Sequence, residues 1–275
     1  MCRLFGFRSV IPSQVHRSLV AADNALAVQS ERHPDGWGVA FYVDGSPHVT
    51  KSASGAMDDA LFRRVSGVVS SETVVAHIRK ATQGNLTVLN SHPFQYGRWV
   101  MAHNGDIPSF VACRDALDQA IAPRLRRFIL GETDSERVFF LFLTELTRFG
   151  ELSGRFGLEE VVPALAATVR MVRELADGEG HRSLLTLLVT NGQTMAAHHG
   201  GKELYFSTWK RRCADRDTCP SLSKSCESAT SSGASVNHLL IASEPLQGEN
   251  VWEPLNEGDI VGVDWRMRLQ HYRSA

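Results

Sequence analysis

The sequence predicts a single domain of mixed α and β structure. Segments with the pattern of strands are interspersed with segments with the pattern of helices along all 275 residues, and we see neither an internal repeat nor a boundary between two domains. The 29 basic and 30 acidic side chains nearly balance. The charge therefore does not suggest a nucleic-acid-binding protein, which would usually carry a basic excess.

Seven strands are predicted from short runs of β-branched, aromatic and aliphatic residues bounded by turn signals. They cover 37–43, 73–79, 98–105, 184–190, 194–199, 237–243 and 259–265. The NGQ sequence between the fourth and the fifth indicates that these two form a hairpin.

Three helices are predicted from apolar residues at helical intervals. They cover 13–28, 133–149 and 157–178. The second begins with Thr133 and Glu136 in the spacing of a capping box. The third ends at an Asp-Gly stop signal, and Pro163 stands either in its first turn or before a later start.

The stretch 211–237 is polar, rich in serine and without periodicity, and we predict a mobile loop inserted between strands. It contains Cys213, Cys219 and Cys226, with five and six residues between them, which fits no common zinc pattern. We favour loop cysteines without a ligand and leave a disulfide or an adventitious metal open. The histidines of AAHHGGK, 196–202, have no partner cluster, so we predict no metal site there.

The N-terminal sequence does not resemble a signal peptide, because Arg3 and Arg8 interrupt the apolar region that such a peptide needs. No apolar run approaches the roughly 20 residues of a membrane helix. We therefore expect a cytoplasmic protein without membrane contact.

Cys2 directly follows Met1, and methionine is normally removed before a residue as small as cysteine. The thiol and the free α-amine of Cys2 would then lie on adjacent carbons. An α-amine with a pKa of about 8 can take the thiol proton near neutral pH, and a nucleophile activated by an N-terminal amine is an established arrangement. The alternative is an unremarkable cysteine behind a retained Met1.

Downstream stretches favour the catalytic interpretation of this cysteine. They are ERHPDGWGVAFY (31–42), AHIRKATQG (76–84), NSHPF (90–94), AHNGDI (102–107) and GETDSE (131–136). Each combines glycine turns with polar side chains at the end of a predicted strand or the start of a predicted helix.

With these residues the sequence resembles the class II glutamine amidotransferases, which belong to the N-terminal nucleophile hydrolase superfamily. That family has an N-terminal cysteine, an H-x-R-x-x-T-x-G motif, an H-N-G motif and a downstream acidic residue. This chain matches with Cys2, HIRKATQG, HNG and ETDSE, in that order. The resemblance is dense over 2–145 and continues weakly through IASEPL, 241–246. It implies an α+β fold of four layers, αββα, with two mainly antiparallel sheets in a single domain over 2–275.

The resemblance also implies roles at the reacting bond. Cys2 would attack the side-chain amide of the substrate and form a γ-glutamyl thioester, which water then cleaves. The side-chain amide of Asn104 and the backbone N–H of Gly105 match the oxyanion hole, which stabilises the developing negative charge. The alternative for Asn104 is a turn residue before glycine.

Further matched positions would bind the amino-acid end of the substrate. Arg79 matches the arginine that binds the α-carboxylate, for which a planar guanidinium is suited, and Asp134 matches the residue that binds the α-ammonium. Thr82 and Gly38 are further candidates for the same pocket. A surface salt bridge for Arg79 and a helix cap for Asp134 are the alternatives.

His77 and His92 also lie in the matched motifs. We expect both to be structural, because in this superfamily the α-amine is the base. The resemblance implies neither a metal nor a cofactor.

The resemblance leaves the leaving group open. The chain would be either a subunit that passes ammonia from glutamine to a separate synthase, or a stand-alone hydrolase of γ-glutamyl amides with a larger leaving amine. Its DGWG sequence resembles a short, standalone branch of the family that includes γ-glutamyl amide hydrolases. A third possibility is a non-catalytic protein that binds small γ-glutamyl ligands.

Overall fold

The computed structural model describes residues 2–15, 17–22, 24–178, 180–213, 217 and 219–274, which form two antiparallel sheets. The larger sheet contains, in spatial order, β11 (Glu253–Pro254), β9 (Tyr205–Ser207), β10 (His238–Ala242), β1 (Arg3–Gln14), β4 (Ser70–Ile78), β2 (Trp37–Val43) and β3 (Ser46–Ser52). The smaller sheet contains β13 (Leu269–Tyr272), β12 (Ile260–Val263), β8 (Met195–His198), β7 (Leu184–Thr190), β6 (Trp99–Asp106) and β5 (Phe94–Tyr96).

The α-helices lie outside the two sheets. They are α1 (Leu26–Gln29), α2 (Ala60–Val68), α3 (Phe110–Ala120), α4 (Pro123–Arg126), α5 (Asp134–Leu146), α6 (Leu158–Ala176) and α7 (Pro220–Cys226). In the described part of the chain, no helix combines the length and the apolar character that crossing a membrane requires.

Three clusters of buried apolar side chains define the layers. Because side chains alternate between the faces of a strand, Val75 of β4 joins a cluster between the two sheets, where it is grouped with Val100 of β6. Its neighbour Val74 belongs to a cluster with Phe62 of α2 on the outer face of the larger sheet. On the outer face of the smaller sheet, β6 and β7 pack against α3, α5 and α6. The expected four-layer αββα arrangement of two antiparallel sheets is confirmed.

The predicted helix over 13–28 is wrong. Strand β1 continues to Gln14 because Ser13 and Gln14 still pair with β4, after a register shift that follows Arg8. Beyond it, Arg17–Ala21 form a π-helical turn and Leu26–Gln29 form α1. His16 and Asp23, also in the predicted helix, lie outside the described residues.

The composition of the stretch 211–237 predicts a loop without regular structure, and this prediction is wrong for part of it. It contains α7, which begins at Pro220, and proline suits a first helical position because its fixed φ is helical and its missing N–H has no partner there. The predicted mobility of this stretch stays a prediction. The other two helices occur close to their predicted bounds, and Pro163 lies inside α6 rather than before its start.

Candidate active site

Cys2 stands at the start of the central strand of the larger sheet. Arg3 pairs with Ile78 of β4, so the thiol lies beside the residues that follow β4. The N–H of Lys80 donates to Cys2 Sγ at 3.3 Å, and the thiol donates to the carbonyl oxygen of Lys80 at 3.3 Å. Cys2 is 9% exposed and is therefore buried.

The environment of Cys2 favours the neutral thiol. Burial raises the pKa of Cys2 above its ordinary value of 9.0, while the Lys80 N–H and the nearby Arg79 guanidinium oppose that shift. A nucleophilic thiolate therefore needs a base that takes the proton during the attack. The predicted base is the α-amine that removal of Met1 would expose. Met1 lies outside the described residues, so this part of the site stays a prediction.

Asn104 lies on β6 of the smaller sheet, which packs against β1 of the larger sheet. Ala102 of the same strand belongs to the cluster between the sheets, and Asn104, two residues on, shares that face. Its buried carboxamide donates from Nδ2 to the Ser243 hydroxyl at 3.2 Å. That hydroxyl also accepts from the N–H of Leu4 at 3.0 Å. Because β6 continues to Asp106, Asn104 is a strand residue and not the turn residue of the alternative interpretation.

Gly105 has a steric reason to be glycine. A Cβ atom at this position would lie 1.7 Å from the carbonyl oxygen of Leu184 and 2.4 Å from Nε2 of His103. Both neighbours are held in place, since His103 Nε2 lies 2.8 Å from the Leu184 carbonyl oxygen and β6 pairs with β7 at this point. A larger residue would displace the strand that carries Asn104.

Arg79 organises the loop that follows β4. The guanidinium of this residue, which is 2% exposed, donates to the carbonyl oxygens of Asn85 at 3.1 Å, Gln83 at 2.8 Å and Gly84 at 3.4 Å. Among the contacts of the described residues, these bonds use three of the five N–H donors of a guanidinium and leave two for a ligand. Arg79 is not the surface salt bridge of the alternative interpretation.

Asp134 is the first residue of α5 and turns its carboxylate inward. Oδ2 accepts from the N–H of Ile107 at 2.9 Å, and Oδ1 accepts from the N–H of Ser135 at 2.7 Å. Burial raises the pKa of Asp134, and the nearby His103 and the N–H groups of Ile107 and Ser135 oppose that shift. A buried carboxylate in this setting gains from a cationic ligand, because such a ligand would stabilise its charged form.

The helix cap at this point is Thr133 and not Asp134. Its hydroxyl accepts from the N–H of Glu136 at 3.3 Å, which is one half of the predicted capping box. The other half is absent from the structure, because the Glu136 carboxylate accepts from the N–H groups of Leu130 at 3.0 Å and Gly131 at 2.7 Å. The Asp134 carboxylate is therefore available for a role other than capping.

The two remaining candidates differ in position. Thr82 is exposed on the loop after β4. Gly38 lies on β2 opposite His77 of β4, and a Cβ atom there would lie 2.1 Å from the carbonyl oxygen of His92. Gly38 thus lets the segment around His92 approach the sheet, which is a structural reason for this glycine beside the predicted binding role.

Charges and hydrogen bonds connect these residues into one site. Burial lowers the pKa of Arg79, and Cys2, Asp35 and Asp134 raise it, so all three lie within range of the guanidinium. The Gln83 side chain donates to Asp106 at 3.3 Å, which joins the loop after β4 to the end of β6. The structure therefore brings the predicted nucleophile, oxyanion donors, arginine and aspartate together.

Two residues of the site were not predicted from the sequence, Asp35 and Ser243. Asp35 fixes the segment that touches the thiol, because its N–H donates to Arg79 O at 3.2 Å and its carboxylate accepts from the N–H of Ala81 at 2.9 Å. Both stand in sequences already noted for the family resemblance, DGWG and IASEPL, although nothing in either sequence indicates these contacts.

The histidines of the matched motifs lie below the site, inside the core. His77 Nε2 is 3.1 Å from the carbonyl oxygen of His103, and the rings of His77 and His92 are 4.2 Å apart between centroids. Burial lowers the pKa of His77 to about 3 and that of His92 well below its ordinary value. Both rings are therefore neutral at neutral pH.

The other cysteines lie away from Cys2. A cavity of about 680 Å³ stands at the far end of β1, and Cys213, Cys219 and Cys226 contribute to its lining. All five cysteines are free. Within the described residues, no group of three or more His, Cys, Asp or Glu side chains is arranged to hold a metal ion.

Comparisons with known proteins agree with this geometry. The family model of the class II glutamine amidotransferases matches residues 1–266. YafJ of Escherichia coli (strain K12), provisionally named a glutamine amidotransferase, is 27% identical over 278 residues, with 97% of each chain covered. The gamma-glutamyl-hercynylcysteine sulfoxide hydrolase of Mycobacterium tuberculosis (strain CDC 1551 / Oshkosh) is 33% identical over 138 residues, which cover 44% of this chain and 58% of that protein.

The fold is also similar to a solved structure. The glutamine aminotransferase class-II domain protein from Silicibacter pomeroyi superposes with a TM-score of 0.64 at 22% identity, and the match covers 100% of both chains. At this identity the likeness concerns the fold alone.

Proposed function

Because the chain belongs to the family of class II glutamine amidotransferases, we propose that it is an amidohydrolase that cleaves the γ-amide of glutamine or of a γ-glutamyl compound. The observation that carries this proposal is the connected site around the Cys2 thiol. A thiol, an amide donor, a guanidinium and a carboxylate converge there from different elements of the fold.

The nucleophilic step begins at Cys2. The thiol attacks the γ-carbonyl carbon while its proton passes to the α-amine of the same residue, once Met1 has been removed. The C–S bond forms, the C–N bond breaks, and the proton leaves with the amine. Water then attacks the carbonyl carbon of the γ-glutamyl thioester, a new C–O bond forms and the C–S bond breaks. Glutamate is released, and a proton from that water restores the thiol. The raised pKa of Cys2 supports a base of this kind, because a neutral thiol is a weak nucleophile.

The negative charge that develops on the carbonyl oxygen needs fixed donors. The Asn104 carboxamide and the N–H of Gly105 are proposed for this role. One N–H of Asn104 is held by Ser243, which leaves the other for the oxyanion. Loss of one such donor typically costs about 10²–10³ in rate.

The amino-acid end of the substrate is a zwitterion, and the site offers one group for each charge. Arg79 would bind the α-carboxylate through the donors not used by its own loop, and Asp134 would bind the α-ammonium. The buried position of both groups supports this assignment, since charge-assisted hydrogen bonds gain strength where water is excluded.

Two versions of the function differ in the leaving group. In the first, ammonia leaves from glutamine and passes to a separate synthase subunit. In the second, the protein acts alone on a γ-glutamyl amide and releases a larger amine. The 33% identity to a protein named as a γ-glutamyl hydrolase supports the second version.

A substrate panel separates these versions. Glutamine, γ-glutamyl dipeptides and γ-glutamyl alkylamides are supplied separately, and release of glutamate is measured with release of ammonia as a second signal. Turnover of γ-glutamyl amides at much higher kcat/KM than glutamine supports the stand-alone hydrolase, and the reverse order supports the ammonia donor.

Matched cysteine variants control this panel. Cys2→Ala should abolish turnover, whereas Cys113→Ala removes a thiol on α3 and should preserve it. Ligand binding without turnover in the unaltered protein would instead indicate the non-catalytic binder.

A further inference from the structure

We propose that Ser243 is a positioning residue that fixes the oxyanion donor Asn104 relative to the nucleophile Cys2. The inference rests on the proposed function, because it takes Asn104 as the oxyanion donor. It concerns a residue that directly follows β10 and whose hydrogen bonds go to Leu4 and Asn104.

Ser243 makes three hydrogen bonds at one point of the fold. Its hydroxyl accepts from the N–H of Leu4 at 3.0 Å and from Nδ2 of Asn104 at 3.2 Å. Its own N–H donates to the carbonyl oxygen of Leu4 at 3.1 Å. The residue is 5% exposed, so these bonds form with little competition from water.

The position of these bonds matters because the reacting groups belong to different sheets. Cys2 precedes β1 in the larger sheet, and Asn104 lies on β6 in the smaller sheet. Apolar packing holds the two sheets together, and such packing is not directional. The Ser243 hydroxyl adds a directional link, since it ties the backbone two residues after Cys2 to the Asn104 amide.

The hydroxyl is fully used as an acceptor. An oxygen of this kind has two lone pairs, and the two N–H donors from Leu4 and Asn104 occupy both. One hydrogen of the Asn104 amide is therefore held in place, and the plane of the carboxamide is fixed with it. The second hydrogen then has a defined direction, which is what an oxyanion donor requires.

Removal of the hydroxyl should loosen this donor without removing it. Loss of a whole oxyanion donor costs about 10²–10³ in rate. Because Ser243→Ala keeps the Asn104 amide, we expect a smaller loss of about tenfold in reactions that pass through an oxyanion. Reactions of the thiol that form no oxyanion should keep their rate.

Two reagents separate these reactions on the same thiol. Acylation by p-nitrophenyl acetate passes through a tetrahedral oxyanion: the C–S bond forms, the ester C–O bond breaks and p-nitrophenolate leaves. Alkylation by iodoacetamide displaces iodide at carbon and forms no oxyanion. Both need the Cys2 thiolate, so the ratio of the two rates isolates the oxyanion donor. Peptide mass mapping assigns each rate to Cys2 rather than to the other cysteines.

We expect the ratio of acylation to alkylation to fall about tenfold in Ser243→Ala and to recover to within threefold of the wild type in Ser243→Thr, which keeps the hydroxyl. Ser71→Ala is the matched control. Ser71 is a buried serine of β4 whose hydroxyl accepts from the N–H of Tyr42 at 3.2 Å, and its removal should leave the ratio unchanged.

An unchanged ratio in folded Ser243→Ala overturns the inference. If that variant does not fold, Ser243→Cys replaces it, because a thiol is a weaker acceptor of similar shape. A ratio equal to the wild type in that variant then overturns the inference as well.

Failure of the proposed function would be recognised separately. In that case the wild-type Cys2 would resist both reagents, or would be alkylated but not acylated. Acylation of wild-type Cys2 with an unaltered ratio in the variants contradicts the role of Ser243 alone.

Discussion

Arg79 offers the sharpest test of substrate recognition, through the substitution Arg79→Lys. The change keeps the positive charge and removes the planar arrangement of donors. In the structure, three N–H groups of the guanidinium hold the carbonyl oxygens of residues 83–85. A single ammonium group cannot hold these oxygens and also donate to a carboxylate through two further N–H groups.

The size of the effect follows from the number of bonds lost. The α-carboxylate would keep one charge-assisted hydrogen bond out of two, and such a bond contributes about 1.5–3 kcal/mol. With tenfold in affinity for each 1.4 kcal/mol, KM should rise about 10-fold to 150-fold. The turnover number should fall by less, because Arg79 does not touch the reacting carbon in our account.

Steady-state kinetics with the best substrate of the panel measures this effect. The matched control is Arg8→Lys, because Arg8 is also buried and donates from Nε to the carbonyl oxygen of Gln193 at 3.1 Å, further along β1 from Cys2. The control should leave KM unchanged. If KM for Arg79→Lys stays within threefold of the wild type, the proposed role of the guanidinium is refuted.

Three further predictions concern charge, space and acid stability. Asp134→Asn should raise KM and flatten its pH dependence. In the wild type KM should rise as the pH falls, because protonation of Asp134 removes the charge that binds the α-ammonium. This rise should begin above pH 3.8, the ordinary Asp pKa, because burial raises the pKa of Asp134. The same pH profile in both proteins would contradict this prediction. Gly38→Ala should lower the melting temperature by several degrees, since its Cβ would lie 2.1 Å from the carbonyl oxygen of His92. The control is Gly67→Ala in α2, where a Cβ would have nothing within 4 Å, and this variant should have a slightly higher melting temperature than the wild type. Equal melting temperatures of the two variants would argue against the clash at Gly38. Buried histidines such as His77, with a pKa of about 3, stay neutral in the folded protein between pH 6.5 and pH 4, where the unfolded chain takes up the proton. The free energy of unfolding from urea titrations should therefore fall from pH 6.5 to pH 4 by about 1.4 kcal/mol per pH unit for each such histidine, and a constant value would oppose this account.

Much of the fold was accessible from local patterns in the sequence. The predicted strand over 184–190 coincides with β7, and the predicted helices over 133–149 and 157–178 contain α5 and α6. These segments have strong periodicity or dense β-branched composition, and local preference agrees with their tertiary environment. The four-layer arrangement came from the family resemblance and not from these patterns.

The wrong helix over 13–28 has a cause that lies far away in the sequence. Residues 13–14 carry a helical pattern, yet they extend β1 because they pair with Ser70 and Ser71 of β4. Pairing between residues so distant cannot be read from a local period. Several short strands, such as β5 and β13, were not predicted because each has only three or four residues and is defined by pairing with the strand next to it.

The candidate site likewise contains residues that a local motif indicates and residues that only distant contacts define. The motifs indicated Cys2, Arg79, Asn104 and Asp134, because each stands in a recognisable local sequence. The supporting contacts of Asp35 and Ser243 join residues that are 46 and 139 positions apart. Only the folded chain reveals such contacts, and they explain how groups on two sheets reach one point.

The proposed function requires Cys2 to act as an N-terminal nucleophile. Intact mass of the purified protein, measured before and after treatment with a diazo-ketone analogue of glutamine, tests this requirement. We predict loss of Met1 and a single adduct that maps to Cys2 and is absent from Cys2→Ala. A folded protein that retains Met1 and forms no adduct would contradict the proposed function.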